Sequence, residues 1–358
     1  MQLRIHGRRV GTAPRHVLIT RLSAIGDCIL TIPVAVEAKR LWPNCRLTWA
    51  VDCAAEQLLQ DHPCIDEVLR IEKGWIKRPS GWGDLRRELR SRDFDVVLDP
   101  QGLTKSAALG WLSGAPTRVG FDFSHARELA PLFANRRVHR EQRHMVDTYL
   151  QVLSPWVNCL AGSGEFALPV YREAAESVEQ MLRELNLTSS SNWVGMNPGA
   201  GWTTRQWPVE RFGQLARAIF EQHGRRSLVF WAGQDERLMA NVIAEESNGA
   251  ASLAPATSLR ELVELIRRTS LLVTGDTGPL HMASAVGTPA VSLHGPTWAD
   301  ESGPYGNHHV AVQSRTPLLS KKLVRHGPNL AMQAIELDEV VRACNRLFSA
   351  SAAARTAA

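Results

Sequence analysis

"HVLITRLSAIGDCILTIPVAVEAKRL" (residues 16–41) opens with the apolar run 16–20, crosses a loop of small residues, and continues as a helix over roughly 27–41. Strand, Gly-containing turn and helix in that order are the unit from which parallel sheets are wound. Asp27 stands directly behind Gly26, where the helix begins. Free backbone N–H groups at such a turn commonly receive phosphate, and a carboxylate there repels it. Asp27 therefore either caps its helix or does chemistry.

The same alternation continues outward. "RLTWAVD" (46–52) precedes "AAEQLLQD", "EVLRI" (67–71) precedes a basic loop and "WGDLRRELRS", and "FDVVLDPQG" (94–102) precedes "LTKSAALGWLSG". Such strands predict a parallel sheet covered on both faces, with ligands beyond the strands' carboxyl ends. Asp27 and the "DPQG" segment both lie at such ends. Residues 154–170, "SPWVNCLAGSGEFALPV", lack helical period and carry Pro, Gly and Ser, which predicts a domain boundary there. Alternation then restarts. "WVGMNPGAG" (193–201) leads to a helix with Pro208 near its first turn, and "SLVFWAG" (227–233) leads to "DERLMANVIAEES". Ser258 and Glu261 are spaced as a capping box, and "LLVTGD" (271–276) leads through a helix to "PAVSLHGPT" (289–297). The expected class is α/β, with two doubly wound domains over 1–160 and 161–333 facing a cleft. A C-terminal helix over 334–350 and a frayed tail over 351–358 follow.

At 358 residues, 44% hydrophobic and 22% charged, the composition is that of a soluble globular protein of two domains. No apolar run reaches the ~18 residues of a membrane span. The basic start has no apolar segment behind it, so no signal peptide is expected. Net charge is only +5, but Lys and Arg cluster at 70–80, 83–92 and 134–144. Three such runs point to an acidic partner, and nucleic acid is the weaker choice because no binding motif accompanies them. The six Cys (28, 45, 53, 64, 159 and 344) show no zinc spacing and read as reduced, mostly buried thiols of a cytoplasmic protein. Trp42, Trp49, Trp193 and Trp231 sit in strand or helix patterns and are expected in the core.

The most informative segment is "VTGDTGPLHMASAVGTPAVSLHGPT" (273–297). A strand ends at Gly275-Asp276 and a helix starts at Thr277-Gly278-Pro279. Backbone N–H groups at 277–280, a Thr hydroxyl and the helix dipole make an anion cradle, with His281 on the first turn. Taken singly, Asp276 reads as an N-cap and His281 as a surface residue; together they read as a diphosphate site. "MNPGAGWTTRQWPVERF" (196–212) repeats the logic, placing Thr203, Thr204 and Arg205 ahead of a helix. Arg205 offers a two-donor fork suited to phosphate, against the plainer reading of a surface loop. Glu236, in "FWAGQDERLM", either accepts from ribose hydroxyls or caps its helix. Neither G-x-G-x-x-G nor G-x-x-x-x-G-K-[ST] is present, so no standard dinucleotide or triphosphate site is indicated.

Together, "TRLSAIGDCILTIPV", "DPQGLTKSA", "GFDFSHARE…FANRRV…HMVD", "GAGWTTRQWP" and the 273–297 segment resemble the lipopolysaccharide heptosyltransferases of glycosyltransferase family 9, over residues 16–348. The "GFD…ARE…NRR" block is closer to that family's first heptosyltransferases, which act on the Kdo–lipid A core. The resemblance implies the GT-B fold: two Rossmann-like domains, acceptor on the first and nucleotide sugar on the second. It further implies an ADP-L-glycero-D-manno-heptose donor, an acidic lipid-linked sugar acceptor, inversion at the transferred carbon, no cofactor and no metal. The place of action would be cytoplasmic, in peripheral contact with the inner face of the membrane, with no nucleic acid involved.

Residue by residue, the resemblance gives Asp27 the role of general base and sets Arg205 where the family has a Lys at the donor phosphates. It matches Glu236 to a ribose-binding Glu, and Asp276, Thr277, Gly278 and His281 to the donor loop, with Thr203 and Thr204 beside Arg205. Pro279 replaces a common Leu. Lys73, Lys77 and Arg78, with Arg127 and Arg137, would face the acceptor. The chemistry is consistent: an inverting transfer needs a carboxylate opposite the leaving diphosphate, so Asp27 is expected across the cleft from the cradle. Two alternatives stand beside this reading. One is another nucleotide sugar or acceptor on the same fold; the other is a non-catalytic sugar-nucleotide-binding protein, which Asp27 beside an intact donor loop argues against.

Overall fold

Short runs of Val, Ile and Leu form two separate parallel sheets in the computed structural model, which describes residues 4–5, 8–9, 13–158, 161–187, 193–316 and 327–357. A small ribbon, β1 (Arg4–Ile5) antiparallel to β2 (Arg8–Arg9), precedes them. The first sheet contains β3 (His16–Thr20), β4 (Arg46–Val51), β5 (Glu67–Arg70), β6 (Val96–Asp99), β7 (Thr117–Phe121) and β8 (Arg136–Val138). Its order is β5-β4-β3-β6-β7-β8. Helices α1 (Ile25–Leu41), α2 (Glu56–Leu59), α3 (Trp82–Arg90), α4 (Thr104–Leu112), α5 (Ala130–Phe133) and α6 (Met145–Leu150) connect or follow the strands. The sequence reading found β3 to β6 and passed over β7 and β8. Their first residues are polar, partly exposed in β7 and exposed in β8, so neither shows the apolar run of a central strand.

The second sheet repeats the winding with β9 (Val194–Asn197), β10 (Ser227–Val229), β11 (Ala251–Leu253), β12 (Leu271–Gly275), β13 (Ala290–His294) and β14 (Val310–Gln313). Its order is β11-β10-β9-β12-β13-β14. Helices α7 (Arg172–Glu184), α8 (Val209–His223), α9 (Gly233–Glu246), α10 (Leu259–Arg268) and α11 (Gly278–Val286) belong to this unit. In each sheet the chain starts centrally, winds to one edge, then returns to fill the other. That reversal creates a switch point, between β3 and β6 in one unit and between β9 and β12 in the other, where the flanking loops diverge and leave room for a ligand.

Each unit has its own apolar core. Leu18, Leu22, Leu89, Val97 and Leu109 anchor one, and Val194, Phe212, Ile219, Val273 and Ile335 the other. Trp42, Trp49 and Trp193 are buried as expected. Trp231 is only half-buried, because its indole N–H reaches out to the Ala254 carbonyl at 2.7 Å. The capping box also forms: Glu261 N donates to Ser258 Oγ at 3.2 Å and Ser258 N to Glu261 Oε2 at 2.8 Å.

The units divide at Pro169/Val170, nine residues beyond the 160/161 expected from composition. Side-chain contacts keep the intervening residues with the first unit. His62 Nε2 bonds Phe166 O at 2.9 Å, Gly162 N donates to Asp147 Oδ1 at 3.0 Å, and Glu165 pairs with Arg40. At the other end, helix Leu337–Ala357 runs through residues read as a tail, where alanine's helix propensity sustains it. Val340, Cys344 and Phe348 of that helix belong to the second core. No helix among the described residues is long and apolar enough to cross a membrane.

Candidate active site

Asp27 lies at the switch point of the first sheet, and the donor-loop candidates lie around that of the second. In the first unit, the loop after β3 leads into α1, whose N-cap is Ala24 with extended backbone. Asp27 is the third helical residue and not the cap, so the capping alternative for it falls away. Its carboxylate Oδ1 lies 2.9 Å from Arg21 Nη2 and accepts from Tyr149 Oη at 3.1 Å. Opposite it, the "DPQG" loop after β6 is stitched to the Asp27 loop. Gln101 Oε1 accepts from Leu22 N at 2.8 Å, and Asp99 Oδ1 accepts from the N–H groups of Gln101 and Gly102. Burial pushes the Asp99 carboxyl up to about 6 against those donors. Lys105 Nζ ties Ser23 Oγ at 2.9 Å to Asp52 Oδ2 at 2.8 Å. Arg21, Tyr149 and Lys105 received no role from the sequence. Arg21 and Lys105 lay inside quoted blocks, but Tyr149 is 122 residues from Asp27 and gave no local signal.

In the second unit, Asn197 at the end of β9 donates to Gly199 O at 3.0 Å and to Thr274 Oγ1 at 3.2 Å on β12. Thr274 in turn meets Thr277 Oγ1 at 3.1 Å. Thr277, not Asp276, is the N-cap of α11. Asp276 has another task. Its buried carboxylate lies 3.5 Å from Arg205 Nη1 and 3.7 Å from His281 Nε2, and accepts from Ser302 Oγ at 2.9 Å. His281 is buried, which removes the surface alternative. Arg205 sits in the 3-10 turn Thr203–Arg205, its guanidinium 4.1 Å over the Trp202 ring. Its Nε has no hydrogen-bond partner among the described residues. His294, on β13, senses the charges of Asp276, His281 and Arg205; burial lowers its pKa to about 4, so the ring is neutral.

Two glycines sit at close approaches. A Cβ at Gly275 would stand 3.0 Å from the Arg205 carbonyl and press the Thr203–Arg205 turn off the end of β12 by a few tenths of an ångström. A Cβ at Gly199 would stand 2.1 Å from the Glu236 carboxylate and displace that side chain from its present place. Glu236 Oε2 accepts from Ala232 N at 2.8 Å, so it does cap α9 while its head lies against the 198–205 loop. Burial raises its pKa above the usual carboxylate value.

The proposed acceptor residues do not form one cluster. Lys73, Lys77 and Arg78 are exposed on the loop after β5, where Arg78 pairs with Glu72. Arg127 is exposed beside the "DPQG" loop, its N–H bonded to Gly102 O at 2.8 Å. Arg137 lies on β8, the opposite edge of the sheet from β5, with Nε donating to Pro131 O at 2.9 Å. At ~4.8 Å per strand, five strand spacings separate those edges by roughly 24 Å.

Cys28, Cys45 and Cys344 are buried free thiols and Cys53 and Cys64 are half-buried; Cys159 lies outside the described residues. Burial raises the pKa of Cys28, Cys45, Cys64 and Cys344. Cys53 differs, because a hydrogen bond from the Cys28 thiol lowers it to about 7. Iodoacetamide is therefore expected to label Cys53 ahead of these four, at a rate rising as pH passes 7. Cys28→Ala should move that rise toward the ordinary ~8.5. Peptide mass spectrometry across pH reads this, and equal labelling of Cys53 and Cys64 would contradict it.

Among the described residues, no group of three or more His, Cys, Asp or Glu is arranged to hold a metal ion. Two doubly wound, Rossmann-like units in one chain are the architecture of GT-B glycosyltransferases. The chain belongs to glycosyltransferase family 9 (heptosyltransferase), which it matches over residues 82–329. It is 28% identical over 313 residues to lipopolysaccharide heptosyltransferase 1 of Salmonella typhimurium, covering 83% of this chain and 94% of that one. To the Pseudomonas aeruginosa protein of the same name it is 29% identical over 314 residues, covering 84% of each. E. coli heptosyltransferase WaaC with ADP-2-deoxy-2-fluoro heptose superposes with a TM-score of 0.73 at 24% identity, covering 92% of this chain and 99% of that one.

Proposed function

We propose that this glycosyltransferase moves heptose from ADP-L-glycero-D-manno-heptose to an acidic Kdo–lipid A type core acceptor, with inversion at the transferred carbon. The observation that supports the reading is Asp27 at the switch point of one sheet and the donor-loop candidates at that of the other, in a chain of this family. Asp27 takes the acceptor hydroxyl's proton as general base. Thr203, Thr204, Arg205, Asp276, Thr277, Gly278 and His281 hold the donor diphosphate, and Glu236 accepts from the ribose. Asp276, being buried, acts by fixing Arg205 and His281. Arg205 and the N–H groups at the start of α11 stabilise charge on the leaving diphosphate, the task a metal performs in other transferases.

Lys73, Lys77, Arg78 and Arg127 meet the acceptor's acidic groups in the N-terminal unit. The bond of Arg137 to Pro131 O and its place at the far edge favour leaving it out of that set. The acceptor is lipid-linked, so the enzyme works in peripheral contact with the inner face of the cytoplasmic membrane, where basic side chains favour an anionic surface. The deciding experiment is calorimetry with ADP-, UDP- and GDP-linked sugars, paired with transfer assays in excess EDTA. Selective binding of ADP-heptose and chelator-insensitive transfer are expected. Preference for another nucleotide sugar would redirect the donor assignment, and a rate restored only by Mg²⁺ or Mn²⁺ would overturn the metal-free mechanism.

A further inference from the structure

We infer that Arg21 and Tyr149 are positioning residues that fix the orientation of the Asp27 carboxylate for proton abstraction, an inference that rests on reading Asp27 as the general base. Arg21 Nη2 and Tyr149 Oη both address the same oxygen, Asp27 Oδ1, at 2.9 and 3.1 Å. Arg21 Nη2 also donates to Tyr149 Oη at 2.6 Å, closing a triangle. The guanidinium is itself anchored: Nη1 donates to Pro100 O at 3.4 Å, and Cζ lies 4.5 Å from the centre of the Tyr149 ring. The β3–α1 loop, the β6 loop and α6 are thereby joined at one carboxylate.

A role in packing alone accounts poorly for this arrangement. The Arg21 side chain is 4% exposed and Tyr149 1%, whereas the Asp27 side chain is 44% exposed. Apolar residues of similar volume generally serve a buried position as well as an ion pair does. Arg21 Nε is moreover buried with no hydrogen-bond partner among the described residues, a further cost to the fold. Two buried polar side chains thus orient one accessible carboxylate, which is what a proton acceptor needs from its surroundings. Hydrogen bonds to a carboxylate also favour its charged form, the form able to accept a proton. Burial holds Tyr149 above the ordinary phenol range, so its hydroxyl keeps the proton it donates. Of the other titratable groups that sense Asp27, burial keeps Cys28 a thiol and lowers His125 to about 4, which leaves its ring neutral.

Tyr149→Phe removes one hydroxyl, and Arg21→Lys keeps the charge but loses the fork. Each is expected to lower kcat by about 10–100-fold through misplacement of the base. Donor affinity should stay at the wild-type value. In Tyr149→Phe the acid limb of the kcat–pH profile should move to higher pH, a change that a packing role would not produce. Combined with Asp27→Asn, neither substitution should lower the residual rate further. If Asp27→Asn turns over normally, the base assignment itself fails. If Asp27→Asn is inactive while Tyr149→Phe and Arg21→Lys keep wild-type kcat and pH profile, the positioning role fails and the base assignment stands. Should Arg21→Lys not fold, Tyr149→Phe alone decides.

Discussion

Asp27→Asn is expected to reduce turnover by about 10²–10⁴-fold, the usual contribution of a general base, while leaving donor binding unchanged. Asparagine has nearly the same volume, and its carbonyl oxygen still accepts from Arg21 and Tyr149, so the triangle at Oδ1 persists. What disappears is the ability to take a proton. Ala24 caps α1, so the helix loses no cap in this variant. The proposed donor residues lie at the other sheet's switch point, so wild-type affinity for ADP-heptose by calorimetry is expected beside a collapsed kcat. Wild-type turnover in Asp27→Asn would show that the carboxylate only pairs with Arg21.

Arg205→Ala should produce the opposite division. In the proposed donor site the guanidinium would bring charge and donors to the diphosphate, and charge-assisted hydrogen bonds contribute ~1.5–3 kcal/mol each, so donor affinity should fall by roughly 10–100-fold. It also lies 3.5 Å from the buried Asp276 carboxylate, which in turn stands 3.7 Å from His281 Nε2 and accepts from Ser302 Oγ. Removing Arg205 leaves Asp276 short of one partner and loosens the support of His281. Arg205→Lys restores the charge without the planar fork, and should recover part of the affinity. Calorimetric titration of ADP-heptose into the three forms provides the measurement. Equal affinities in all three would remove Arg205 from the donor site.

Local pattern made much of this protein readable. Strand–turn–helix alternation announced two parallel sheets, because buried central strands must be continuous apolar runs and their crossovers must be helices. Gly-Asp-Thr-Gly before one helix and Thr-Thr-Arg before another marked where those helices start, since such features depend on neighbours in the chain. Strands β7 and β8 escaped because each opens on polar, solvent-accessible residues and so lacks an apolar run. The unit boundary shifted to Pro169 because side-chain contacts, not composition, hold residues 161–169 to the first unit.

The division of labour within the site followed the same line. The sequence by itself determined that a carboxylate follows β3 and that a Gly-Asp-Thr-Gly turn starts α11. Only the tertiary structure decided what Asp27 and Asp276 do. Asp27 is gripped by Arg21 and by Tyr149, 122 residues away on α6, whereas Asp276 is buried beneath Arg205, His281 and Ser302 rather than capping its helix. Helix starts and turns depend on residues a few positions apart, so they are legible along the chain. A carboxylate's charge partners come from whichever strands the winding brings to the same switch point, and those exist only after the sheet is assembled.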